Sequence, residues 1–216
     1  EEIGHAGRGQ ACAHGDPGEA ATDHEDAHVR HGGQVCRAAA RRARAHRWAA
    51  AYSLVMAKGS GTPATTALTR AGVAFTPHAY DHDPAAPSYG LEAAAALGVD
   101  PARVFKTLLV EADGRLGVAI VPVALLLDLK AVAAVLGAKR AVMAEPAVAE
   151  RATGYVVGGI SPLGQRRRLP TVLDASATAY ATVLVSGGRR GLDVELAPGD
   201  LLRLTGGLPA PIARAR

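Results

Sequence analysis

From residue 62 onward, apolar and polar positions fall into short bounded runs whose period switches repeatedly between that of a helix and that of a strand. Thr62 followed by Pro63 marks a helix start, and Gly72 marks its end. Val73 to Tyr80 reads as a strand, and Pro77 within it argues for a sheet edge. Ser88 to Leu97 reads as a second helix stopped by Gly98, and Asp100-Pro101 opens a single turn. The turn feeds Arg103-Val104-Phe105-Lys106-Thr107-Leu108-Leu109-Val110, the most strand-like run in the chain. Ala112-Asp113-Gly114 is a hairpin turn into a partner strand, Leu116 to Val121. Beyond it the pattern predicts a helix from Asp128 to Leu136, a strand from Arg140 to Met143 and a helix from Glu145 to Ala152. Tyr155 to Val157, Thr171 to Leu173, Thr182 to Val185 and Leu192 to Leu196 read as strands, and Pro198 to Leu204 as a closing helix. Helices and strands interleave irregularly, with hairpins among them. That favours a single α+β domain with a central mixed β-sheet flanked by helices over a doubly wound parallel fold.

Residues 1–55 follow no such pattern. They are rich in Ala, Gly, Arg and His, and hold both cysteines, the single tryptophan and six of the eight histidines. Cys12, His14, His24, His28, His31 and Cys36 include a His-x3-His spacing, but no Cys-x2-Cys knuckle and few apolar residues accompany them. No metal site is expected there. Only Arg41 to Tyr52 has the composition of a helix, and that helix would be solvated. Met56-Ala57-Lys58-Gly59-Ser60 reads like a natural chain start. The expectation is a disordered or non-native extension over 1–55 and a folded domain over 56–216.

Composition then narrows the function. The net charge of +4 permits a nucleic-acid partner without requiring one. Aromatics make up only 4% of the chain, so the core must be aliphatic and alanine-packed. No apolar run approaches membrane-spanning length, and the N-terminus lacks a signal pattern, so a soluble cytoplasmic protein with no membrane partner is expected. Walker loops, dinucleotide fingerprints and His-Glu-x-x-His are missing, which argues against nucleotide hydrolysis, hydride transfer and zinc-protease chemistry.

Lys106 is the first candidate for chemistry. Strand alternation aligns it with Val104, Leu108 and Val110, where its ammonium loses hydration unless something compensates. It can hold a phosphate or polarise a carbonyl, or simply snorkel to water. Gly158-Gly159, leading to Ser161, can bring backbone N–H groups up to an ester carbonyl, or form a tight turn and nothing more. Tyr80-Asp81-His82-Asp83 offers a histidine beside carboxylates, or a polar turn; no nucleophile sits on a strand-to-helix elbow to accompany it. Ser186-Gly187-Gly188-Arg189-Arg190-Gly191 reads as a hairpin turn whose serine can meet substrate and whose arginines can meet phosphates. Arg166-Arg167-Arg168 is a second basic run.

Four of these stretches, Tyr80-Asp81-His82-Asp83, Val104-Phe105-Lys106-Thr107-Leu108, Gly158 to Gly164 and Val185 to Leu192, occur in one order. With them the chain from Tyr80 to about Ile212 resembles the YbaK family of aminoacyl-tRNA deacylases, relatives of the editing domain of bacterial prolyl-tRNA synthetases. The Gly-Gly-Ile-Ser-Pro-Leu-Gly run is most like the cysteinyl-tRNA(Pro) branch. The resemblance implies trans-editing hydrolysis of mischarged tRNA, with Cys-tRNA(Pro) as substrate and the substrate thiol assisting. Deacylation of another small amino acid (Ala or Ser), or a non-catalytic RNA-end or nucleotide-binding module, are the alternatives. It implies Lys106, Gly158 and Gly159 as catalytic residues and Tyr80, His82, Ser161 and Ser186 as substrate-binding residues. Arg166, Arg167, Arg168, Arg189 and Arg190 are then candidates for tRNA. No metal or organic cofactor is implied; the acceptor end of the tRNA is the partner, with prolyl-tRNA synthetase a candidate second one.

Overall fold

The computed structural model describes residues 61–86 and 88–215. The expected N-terminal extension, its histidines and cysteines, and the Met56 start lie outside the described residues.

Helix α1 (Pro63–Arg70) starts where the sequence places it. The Thr62 hydroxyl accepts from the Thr65 N–H, and the Thr65 hydroxyl accepts from the Thr62 N–H, a reciprocal cap built from two threonines. The same Thr62 hydroxyl donates to the Gly187 carbonyl, tying the helix start to a distant strand. Strand β1 (Phe75–Ala79) pairs on one side only, so Pro77 does sit on an edge. Helix α2 (Tyr89–Leu97) ends on Gly98 in the left-handed conformation. A single 3-10 turn, Pro101–Arg103, delivers the chain into β2 (Val104–Ala112), which folds back through Asp113 and Gly114 into β3 (Arg115–Pro122). Both turn residues have positive φ, as a two-residue hairpin of right-handed twist requires.

The remaining elements are β4 (Leu126–Leu127), α3 (Leu129–Val135), β5 (Ala141–Met143), α4 (Pro146–Thr153), β6 (Thr171–Asp174), β7 (Val183–Arg189), β8 (Leu192–Leu196), α5 (Pro198–Thr205), β9 (Leu208–Ala210) and β10 (Ala213–Arg214). The main sheet runs β1-β8-β7-β2-β3-β6-β9, with β5 also on β2; β4 and β10 form a separate ribbon. Parallel pairs (β2 with β7, β3 with β6, β6 with β9) and antiparallel pairs coexist, so the sheet is mixed, as expected. Phe105, Leu109, Val118 and Ile120 face a core filled by Leu68 of α1, Ala149 and Ala152 of α4, and Leu201 of α5. The opposite face packs Val110, Ala119 and Val121 against Val132 and Ala133 of α3, while Val104 and Leu184 meet Ala94 of α2. Small residues on the helices let them approach the sheet closely.

Two local expectations fail. Tyr155 to Val157 is not a strand. Gly154 (φ +80) ends α4, and Gly158 (φ +87) makes a turn closed by the Gly159 N–H on the Val156 carbonyl at 3.0 Å. Three apolar residues between two left-handed glycines find no strand edge to pair with; Tyr155 alone is buried, its hydroxyl donating to the Leu163 carbonyl at 2.7 Å. Nor is Ser186 to Gly191 simply a hairpin turn. Strand β7 continues to Arg189, and Gly187-Gly188 fill a bulge between the pairs Ser186↔Asp193 and Arg189↔Leu192. A Cβ on Gly188 would press the Tyr155 ring at 2.8 Å, which is why a side chain is excluded there. The short strands β4, β9 and β10 have no counterpart in the sequence reading, being too brief to show a period.

Candidate active site

Strand β2 pairs with β3 along its length, but two different strands share its other edge. Strand β7 takes Val104 and Phe105, and β5 takes Val110 to Ala112, leaving Lys106 to Leu109 between them. A cavity of about 360 Å³ opens across this gap, lined by Val104 to Leu109 of β2, Tyr80, Tyr89 and Ala93, Gly158 and Ile160, and Ser186 and Asp193.

Register explains how polar groups reach it. His78 of β1 stands opposite Asp193 of β8, and Asp193 opposite Ser186 of β7. One position beyond the last β2–β7 pair, Phe105↔Val185, stand Lys106 and Ser186. His78, Asp193, Ser186 and Lys106 therefore form one row across four strands on one face. At the usual strand spacing, Asp193 and Lys106 lie roughly 10 Å apart, on either side of Ser186.

Lys106 resolves its lost hydration through the main chain: Nζ donates to the Leu125 carbonyl at 2.6 Å and to the Val123 carbonyl at 3.4 Å. These carbonyls belong to the turn between β3 and β4, so the hairpin partner fixes the ammonium on the cavity wall. Asp193 is 6% exposed, and burial pushes its carboxyl up to about 6, partly offset by His78. Tyr80 is pushed up to about 12 by burial, then by the negative charges of Asp193 and Glu92, so its phenol stays protonated and can donate. Two residues along β8 from Asp193, partial burial of Glu195 works to raise its carboxyl. Hydrogen bonds from Thr182, His78 and Arg103 outweigh this and hold it below the ordinary carboxylate range.

The opposite wall is a stack. The Arg190 guanidinium lies 4.9 Å over the Tyr89 ring and donates to the Val157 carbonyl at 2.7 and 3.2 Å, joining α2, the β7–β8 turn and the Gly158 turn. A Cβ on Gly158 would meet the Tyr89 ring at 2.8 Å, so glycine permits this closure. His82 stands behind the wall: its ring tilts against Tyr89 at 5.6 Å, and Nδ1 pairs with Glu92 at 3.0 Å. Its Nε2 is buried with no hydrogen-bond partner among the described residues.

Of the residues singled out in the sequence, Tyr80, Lys106, Gly158 and Ser186 line the cavity. Gly159 packs against the Arg189 backbone, and its N–H is used in the turn. Ser161 is fully buried, its hydroxyl accepting from the Leu163 N–H at 3.3 Å. Arg167 and Arg168 line two other clefts, one beside Arg115 at the far end of β2, and Arg166 packs over Gly154. Arg189 is exposed at the end of β7. Asp193, Tyr89 and Thr107 line the cavity without having been singled out. A carboxylate alternating with Leu192, Val194 and Leu196 was the available signal for Asp193; nothing local marked the other two. Among the described residues no group of three or more His, Cys, Asp or Glu could hold a metal ion, and no helix is long and apolar enough to cross a membrane.

The aminoacyl-tRNA editing domain family matches residues 83–204. An Enterococcus faecalis protein provisionally named Cys-tRNA(Pro)/Cys-tRNA(Cys) deacylase EbsC is 41% identical over 121 residues, 55% of this chain and 73% of that protein. A crystal structure titled, again provisionally, as a trans-editing enzyme for prolyl tRNA synthetase superposes with a TM-score of 0.63 at 26% identity, covering 71% of this chain and 96% of that one. The hypothetical protein APE2540 gives 0.63 at 25% identity, covering 70% and 99%. The matched span runs from the loop after Tyr80 to the last helix and includes Lys106, Gly158, Ser186 and Asp193 of the cavity wall. The chain belongs to the aminoacyl-tRNA editing domain family.

Proposed function

We propose that the protein is a trans-editing deacylase that cleaves the ester joining a wrong amino acid, cysteine foremost, to tRNA(Pro). The observation that carries this reading is the sheet gap. One small cavity collects a cation, a hydroxyl and a buried carboxyl in a single row, and no histidine or cysteine is among the described residues that line it. An aminoacyl ester is already activated, so positioning and electrostatics suffice to hydrolyse it. Around the mouth, Met143 is 47% and Val157 36% exposed, apolar surface on which the terminal adenine can lie.

In this reading Lys106 holds the RNA end by its charge, and Gly158 lets the loop backbone approach the acyl group. The nucleophile is the substrate's own thiol. Asp193, ionised above about pH 6, accepts the thiol proton. The sulfur then forms a bond to the ester carbonyl carbon while the bond from that carbon to the ribose oxygen breaks. The ribose oxygen leaves with the proton that Asp193 took from the thiol, and water opens the resulting thiolactone to free cysteine. The substrate arises in the cytoplasm through prolyl-tRNA synthetase, which makes that enzyme the first partner to test.

Single-turnover loss of label from Cys-tRNA(Pro), compared with Ser-tRNA(Pro), is the test. Cysteine should leave much faster, because a thiol ionises in part near neutral pH and a serine hydroxyl does not. Equal rates would make water the nucleophile and open alanine and serine as substrates. A stable ester alongside measurable tRNA binding would make the protein a non-catalytic RNA-end module.

A further inference from the structure

The gap in the sheet has a main-chain consequence. The Val118 N–H, opposite Leu109, donates away from β2 to the Pro170 carbonyl, and the Val104 carbonyl accepts from Val123 on the β3 side. Peptide groups alternate along a strand, so Phe105, Thr107 and Leu109 aim theirs at the other edge. Phe105 meets β7 there, and the Leu109 carbonyl accepts from the Ala144 N–H at 3.0 Å. Between them, the β7 pairing stops at Phe105 and the β5 pairing resumes at Val110, so the Thr107 N–H and C=O and the Leu109 N–H face the cavity across an interrupted ladder. Main-chain groups are obligate hydrogen-bonding groups, and an open stretch of strand edge can pair with an added extended segment.

We infer that the aminoacyl group binds as a one-residue strand in this gap. Its ester carbonyl accepts from the Thr107 N–H, and its α-ammonium donates to the Thr107 carbonyl, while the Leu109 N–H lies one pleat further along the same edge. This rests on the deacylase reading and adds to it. The donor to the reacting carbonyl comes from β2 rather than from the glycine turn, where the Gly159 N–H is already engaged. In this mode an added strand is gripped by its backbone, and its side chain goes to whatever pocket lies beside it. An α-amino acid is thereby selected by class, and the cavity beside the gap selects within the class.

Amide hydrogen exchange on the full chain tests this, with the stable probe 3′-deoxy-3′-(cysteinylamino)adenosine and a matched 3-mercaptopropionyl analogue lacking the α-amino group. Saturation with the first should slow exchange at Thr107 by about tenfold or more, the effect of roughly one added hydrogen bond. The second should bind about tenfold more weakly, for loss of the ammonium contact. If the cysteinyl probe binds and Cys-tRNA(Pro) is cleaved while Thr107 exchanges as in the free protein, the strand-addition mode is wrong and the deacylase stands. Equal affinity for the two probes would also overturn it. If the probe does not bind and the ester stays intact, both readings fall.

Discussion

Asp193 carries a measurable cost of function in the folded state. It is 6% exposed, faces the cavity opposite Ser186, and its carboxyl is raised from 3.8 to about 6, chiefly by burial. An acid whose folded pKa lies above its unfolded one contributes no penalty below pH 3.8. The penalty grows as the unfolded chain ionises and is complete above pH 6, so stability falls as pH rises through that window. A difference of that size corresponds to roughly 3 kcal/mol. Asn is neutral at every pH, so Asp193→Asn should match the parent near pH 3.5 and exceed it by up to about 3 kcal/mol at pH 8, a gain in Tm of roughly 6–12 °C for a domain of this size. Single-turnover deacylation at pH 8 should fall by about 100-fold or more, the usual weight of a general base. Melting curves for both proteins from pH 3.5 to 8, with rates on Cys-tRNA(Pro), make the measurement. A difference in Tm that does not change with pH would refute the buried-charge argument. An unchanged rate would remove Asp193 as proton acceptor.

Lys106→Met keeps the stem packed and removes the charge, so deacylation should fall by about 100-fold or more while Tm changes little, as circular-dichroism melts alongside rate measurements will show. Gly158→Ala places a methyl 2.8 Å from the Tyr89 ring at a φ of +87. It should cost about 1–2 kcal/mol in denaturant titrations and raise KM by narrowing the cavity. Arg166, Arg167 and Arg168 changed together to Ala should weaken tRNA binding and lower its log–log salt slope by about 2–3, with the bound-state rate unchanged, since Arg167 and Arg168 line other clefts. An unchanged slope in binding titrations would remove them from the RNA path.

Local chemistry determined much of this protein. The Thr62-Pro63 helix start, the Asp113-Gly114 hairpin, the edge position of Pro77 and the face shared by Val104, Lys106 and Leu108 all follow from propensity, turn stereochemistry and strand period, each needing only near neighbours. Four cavity residues, Tyr80, Lys106, Gly158 and Ser186, were legible through the family resemblance of their short stretches, which are specific in combination. What the tertiary structure decided depends on pairing between distant segments. Strands β5 and β7 lie far apart in the chain yet divide one edge of β2, and nothing in either announces that they leave a gap. Register alone aligns His78, Asp193, Ser186 and Lys106, and a slip of one residue would send each to the other face. The raised carboxyl of Asp193 exists only after neighbours have excluded water, and the exclusion of Ser161 and Arg167 from the cavity was set by where their loop was anchored. A strand's period is written in consecutive residues, whereas an interrupted ladder depends on which distant strands meet and where their pairing stops.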